Sequence, residues 1–199
     1  MLLNRSVAHL ILVLLLLIYS HELVLAKNMK QQKLDASTVQ NEIKKSGARA
    51  FSDKHPFNQS LDYWDAIFDG IATGDDEWLR VAEELRPFSD ATMTMGLEGS
   101  LGYAIEYNAS GVLNVLKKLE KKESFVTTKK KGDISLIFDI CTASVLSIDE
   151  YNPKEDLRAL RKREVALRKV ARIDLEPSRA ECLKAIVGEI KRLESASNP

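Results

Sequence analysis

Histidine and cysteine carry most zinc sites and acid–base triads, and this chain of 199 residues holds only His9, His21, His55, Cys141 and Cys182. Two of the histidines lie in an N-terminal stretch that reads as a removable leader, which leaves His55 alone. No C-x-x-C, G-x-S-x-G, P-loop or H-E-x-x-H pattern is present. The acidic group Asp62, Asp65, Asp69, Asp75, Asp76 and Glu77 raises the question of calcium. An EF-hand loop, however, needs oxygen ligands at alternate positions, with glycine at six and glutamate at twelve; Ala66, Ile67, Ile71 and Ala72 interrupt that register. Glu98, set in an otherwise apolar helix, is the one candidate acid or base, and no second carboxylate can be assigned to it. The sequence predicts no metal, no cofactor and no catalytic residue.

Charge offers more. The chain carries 29 Lys plus Arg against 29 Asp plus Glu, yet the two signs are segregated. Lys27 to Ser110 holds 9 cations and 14 anions, and Gly111 to Pro199 holds 19 and 14. Such a dipolar layout steers charged partners and makes association salt-sensitive. Two basic groups stand out. One is Lys117, Lys118, Lys121 and Lys122 with Lys129 to Lys131; the other is the run containing Arg158, Arg161, Lys162, Arg163, Arg168, Lys169 and Arg172. Within the second, Arg158, Arg161, Lys162 and Arg168, Lys169, Arg172 are spaced to share a helix face. Zero net charge and the lack of a recognition motif argue against nucleic acid, so an acidic protein or an anionic membrane surface is the expected partner. A separate candidate is an aromatic groove near Trp64, Trp78, Tyr103 and Glu98, although tryptophans at helical spacing are mostly core.

The N-terminus predicts the compartment. One cation, Arg5, precedes an apolar run from Leu10 to Ile18, and Val24-Leu25-Ala26 places small residues where a signal peptidase reads. The run is too short for a spanning helix, which needs about 20 apolar residues. Residues 1–26 are expected to be a signal peptide cut after Ala26, giving an exported, periplasmic or secreted chain. Lys27, not Cys, follows the cut, so no lipid anchor is expected. In an oxidising compartment Cys141 and Cys182 are expected to form a disulfide, two buried free thiols being the alternative.

These candidates must be positioned by helices. Residues 27–36 read as a flexible leader and residues 37–195 as one all-helical domain. Ser37 with Gln40 forms a capping box, Gly47 ends or bends the first helix, and His55-Pro56 breaks the chain. Leu61, Trp64, Ile67, Phe68 and Ile71 form an apolar stripe. Ser60 is the expected cap before it, and Thr73-Gly74 the stop after it. Asp75 or Asp76 opens a helix that Pro87 terminates. Ser89 or Asp90 opens another with Met95, Leu97, Leu101, Ala104 and Ile105 as core; Gly96, Gly99 and Gly102 inside it suggest close helix contact. Asn108 should close that helix and Ser110 cap the next, with an irregular segment expected from Glu123 to Gly132. Asp133 caps a helix with Ile134, Ile137, Phe138, Ile140, Cys141 and Val145. Asn152-Pro153 starts a helix to about Arg172 with Leu157, Leu160, Val165 and Leu167 inward. The last follows Pro177 and frays from Glu194. The expected fold is all-α, a compact array of antiparallel helical hairpins, HEAT-like or an irregular bundle.

Ile43 to Ala50, Trp64 to Leu79, Leu85-Arg86-Pro87, Met95 to Leu101, Asp139-Ile140-Cys141 and Arg179 to Leu183 together resemble small exported all-helical proteins of Gram-negative bacteria, a group with no assigned activity. The likeness departs in the Lys-rich stretch 121–131. It implies export, an all-helical fold and the disulfide, and it carries no functional residues with it. The first-ranked function is therefore a non-catalytic interaction protein of the cell envelope. A helical module for a small molecule or lipid is the alternative, and an enzyme centred on Glu98 comes third. Oligomeric state, and modification at the sequons of Asn58 and Asn108, are not fixed by the sequence.

Overall fold

The computed structural model of the chain describes residues 34–126, 136–143 and 152–197. The signal peptide, its cleavage after Ala26 and most of the leader lie outside the described residues, as do Lys129 to Lys131, Asp133, Ile134 and Val145. Eight α-helices and no strand occur among the described residues: α1 Ala36–Ser46, α2 Ala48–Lys54, α3 Leu61–Ala72, α4 Asp76–Leu85, α5 Ala91–Val126, α6 Leu136–Thr142, α7 Pro153–Arg168 and α8 Glu176–Ser197. The fold is all-α.

Most boundaries have the expected physical cause. Gly47 sits at φ 84° between α1 and α2, and Gly74 at φ 74° ends the α3–α4 turn, both left-handed positions that suit glycine. Asp75 Oδ1 accepts from the amides of Glu77 and Trp78, and Asn152 Oδ1 from the amide of Lys154, so two orphan helix N-termini are satisfied. Three caps differ. Asp35, not Ser37, caps α1 by accepting from the amide of Thr38, while Gln40 reaches across to donate to the Glu77 carbonyl. A carboxylate can accept from several groups at once, and Ser37 itself donates to it. Ser60 stands at the start of α3 without a side-chain cap bond. Asn108, not Ser110, opens the second half of α5 by accepting from the amide of Gly111.

α5 is the spine. It is kinked at Asn108 (φ −144°, ψ 66°); α3 and α4 pack on it, as do α6, α7 and α8, while α1 and α2 pack on α4. Consecutive pairs such as α3–α4 and α7–α8 touch. A solenoid repeat meets only its neighbours, whereas α5 meets five other helices here. The kink is pinned: Asn108 Nδ2 donates to the Gly74 carbonyl and to Asp76 Oδ1, tying the α3–α4 turn to the bend. Two of the three interior glycines permit close approach. A Cβ on Gly96 would lie 2.3 Å from the Phe68 ring, and one on Gly102 would lie 2.7 Å from the Ile140 carbonyl oxygen, whereas Gly99 has nothing within 4 Å.

Registers shift in places. Met93 is buried and Met95 is 61% exposed, because the buried face runs through Met93, Leu97 and Leu101 at steps of four. Val165 and Phe138 also face outward. α5 runs on to Val126 where an irregular segment was expected from Glu123, α7 stops at Arg168 rather than near Arg172, and α8 spans Glu176–Ser197 without fraying at Glu194. Cys141 in α6 and Cys182 in α8 are both fully buried, with their sulfurs at bonding distance, 1.96 Å. Among the described residues no helix is long and apolar enough to cross a membrane.

Candidate functional site

α7 holds Arg158, Arg161, Lys162 and Arg168, four of the six cations that the sequence singles out as an interaction face. Its inward stripe is Asp156, Leu160, Arg163 and Leu167, at steps of four, three and four. Half of a core stripe is thus charged. Arg163 is 1% exposed. Its Nη1 donates to the carbonyl oxygens of Ala143 (2.7 Å) and Cys141 (3.3 Å), and its guanidinium carbon lies 5.7 Å from the centre of the Tyr103 ring. Burial pulls the guanidinium down to about 10, which leaves it protonated at neutral pH. Arg163 therefore joins α7 to the carboxyl end of α6 beside the disulfide and to α5. The sequence counts it among surface cations, and the structure makes it a strut.

The outward stripe is Lys154, Arg158, Arg161, Lys162, Val165 and Lys169, which together line an open cleft of about 540 Å³. Leu157, Val165 and Ala166 supply apolar lining, and Glu106 of α5 closes one side. Two cations are engaged: Arg161 with Glu194 and Lys162 with Glu106, each at 2.7 Å. Lys154, Arg158 and Lys169 are exposed and have no ion-pair partner among the described residues. Exposed pairs are individually weak, but three unpaired cations around an apolar strip focus a positive potential on one surface. Arg168 and Arg172 do not join this face. Arg168 clamps Glu164 at 2.6 Å, and Arg172, beyond the helix end, pairs with Asp174 at 2.8 Å and lines a different cleft with Asp76 and Lys118. Lys117 and Lys118 are likewise engaged, with Asp174 and Glu83. Lys154 and Val165 belong to the cleft although the sequence did not place them there: Lys154 is one helical turn before Arg158, and Val165 had been counted as core.

The aromatic candidates are not assembled into one groove. Trp64 is fully enclosed, edge-on to Phe51, with its Nε1 donating to the His55 carbonyl at 2.7 Å. Trp78 packs against Gly70, where a Cβ would lie 2.3 Å from its ring. Tyr103 lies under Arg163, and Glu98 is held by Arg86 at 2.5 Å, both side chains mostly buried. Tyr103 lines a cleft with Glu106, Tyr107 and Arg158.

One concentration of titratable groups has no counterpart in the sequence reading. Where α1, α2 and α3 meet, Glu42 receives Lys54 and His55 on one oxygen and the Tyr63 hydroxyl, at 3.4 Å, on the other; His55 and Tyr63 stack at 4.6 Å. The hydrogen bond from Lys54, then that from His55, holds Glu42 below the usual carboxylate range. Burial, then the Glu42 charge, pushes Tyr63 up to about 12. The cluster fastens the first three helices. Among the described residues no group of three His, Cys, Asp or Glu side chains is disposed to hold a metal ion.

No family model matches this chain, and neither a curated protein nor a solved structure matches it.

Proposed function

We propose that this chain is a non-catalytic, exported interaction protein of the cell envelope, and that the basic cleft on α7 is its contact surface for an acidic partner. The observation that carries the reading is the trio Lys154, Arg158 and Lys169, exposed and without an ion-pair partner among the described residues, around the apolar strip at Val165. Cations without an ion-pair partner among the described residues suit an external anion. The signal-like N-terminus, the resemblance to small exported helical proteins of Gram-negative bacteria and the buried Cys141–Cys182 bond support the compartment. The test is capture from an envelope extract by the chain beginning at Lys27, at low and moderate salt, beside Arg158→Glu/Lys169→Glu. A stoichiometric acidic protein, bound by the wild-type chain and lost with the variant, is the expected result. Capture unaffected by the variant would remove α7 from the contact.

The apolar strip favours one second reading, an anionic amphiphile whose chain lies along Leu157 and Val165 with its head at Arg158. Co-sedimentation with vesicles rich in phosphatidylglycerol, absent with neutral phosphatidylcholine, would support it over the protein partner.

A further inference from the structure

The complement of the α7 cleft lies on the same molecule, on α3. α3 carries no cation along Leu61–Ala72, and its outward face presents Asp62, Asp65 and Asp69 with the half-exposed Leu61 at its start. None of these three carboxylates has an ion-pair partner among the described residues. Asp65 and Asp69, four residues apart, repel each other on the helix, while Asp62 in the first turn is favoured by the helix N-terminus. On α7 three charges of the opposite sign, Lys154, Arg158 and Lys169, likewise have no ion-pair partner among the described residues.

The two faces also share a spacing. Asp65 and Asp69 lie four residues apart, about 6 Å of helix, as Lys154 and Arg158 do. Each face combines a charged stripe with one exposed aliphatic side chain, Leu61 or Val165. Both helices pack on α5, and each face keeps three charges with no ion-pair partner among the described residues.

We propose that the occupant of the α7 cleft is a second copy of this chain, seated through its α3 acidic stripe. This rests on the reading of α7 as the contact surface and names its partner. Because the two patches differ, the contact is heterologous: one molecule's α7 meets the next molecule's α3, and the exposed ends propagate into a ring or an open file rather than closing as a two-fold dimer. The segregation of negative charge before Ser110 and positive charge after it aligns successive copies head to tail.

The test is sedimentation equilibrium on the oxidised chain beginning at Lys27, over a concentration series in low salt and in moderate salt. The weight-average mass is expected to rise above one chain at about 20 mM salt, and the association constant to fall by about tenfold or more at about 300 mM. Asp62→Lys/Asp65→Lys/Asp69→Lys and Lys154→Glu/Arg158→Glu/Lys169→Glu should each stay monomeric in low salt. Their equimolar mixture should associate again, because each variant then offers the face that the other needs. The substituted residues are exposed, and circular dichroism checks that both variants keep their helix content. A wild-type chain that stays monomeric in low salt, association that either variant leaves unchanged, or a mixture that does not recover would overturn the proposal. A monomeric chain that still captures an acidic envelope protein through α7 would overturn it as well, while leaving the proposed contact surface in place.

Discussion

Arg163 and Val165 are two residues apart on α7, and each lies on the face opposite to its chemical type. The spacing from Asp156 through Leu160 and Arg163 to Leu167 held the signal, but two charges in a core stripe hide it from any reading based on hydropathy. The carbonyls of Cys141 and Ala143 make the difference, and they belong to a segment about twenty residues away in sequence. Arg163→Ala leaves both oxygens without this donor in a buried site, so it should cost about 3 kcal/mol, measured as a lower urea midpoint. Arg163→Lys, a point charge without the planar fork, should recover only part of it. Glu42 shows the same dependence on distant partners. Its carboxyl is depressed in the folded chain by Lys54 and His55, so the stability it contributes is complete above the ordinary carboxylate range and is lost as pH falls through its lowered value. Glu42→Gln should flatten the fall of the urea midpoint between about pH 5 and 3. An unchanged slope would mean that other carboxylates govern the acid limb.

Helix existence was legible for every described helix but the short α2, because apolar periodicity and cap chemistry are local. Asp75, Asn152, Gly47 and Gly74 act where the sequence puts them. Registers and ends were less so. Ser37 and Ser110 are good caps in isolation, and each yields to a neighbour, Asp35 or Asn108, that serves more than one group at once. The interior glycines of α5 divide on what stands opposite them. Gly99 faces open space, so Gly99→Ala should stabilise by up to about 1 kcal/mol through helix propensity alone. Gly102 abuts the backbone of α6 at Ile140, and a carbonyl oxygen cannot turn aside as a side chain can; Gly102→Ala should destabilise and separate α6 from α5. Thermal melts of the two variants side by side should move in opposite directions.

At the level of the molecule the all-α class was readable, but the central position of α5 was not, since it depends on contacts between helices far apart in sequence. The basic contact surface was half readable: Arg158, Arg161, Lys162 and Lys169 share it, while Arg168 and Arg172 are drawn away by Glu164 and Asp174. Groups sharing a helix face can be counted from spacing, but which of them their neighbours neutralise cannot. The Cys141–Cys182 bond acts on this same scale. It closes a separation of 41 residues, so replacing both cysteines by serine should lower stability by about 4 kcal/mol on the chain-entropy account, read as a drop in the midpoint of urea unfolding. The position of that closure also governs how the molecule responds to being cut. All of α7, with its basic face, lies between the two cysteines in sequence, whereas α1 through α5 lie outside the loop. A single peptide-bond cleavage in the α7–α8 link, at exposed Ile173 for instance, leaves both fragments joined through sulfur. On a non-reducing gel the nicked chain should run as one molecule, and added thiol should release a fragment ending near Ile173. Cleavage before α5 should separate the pieces under either condition.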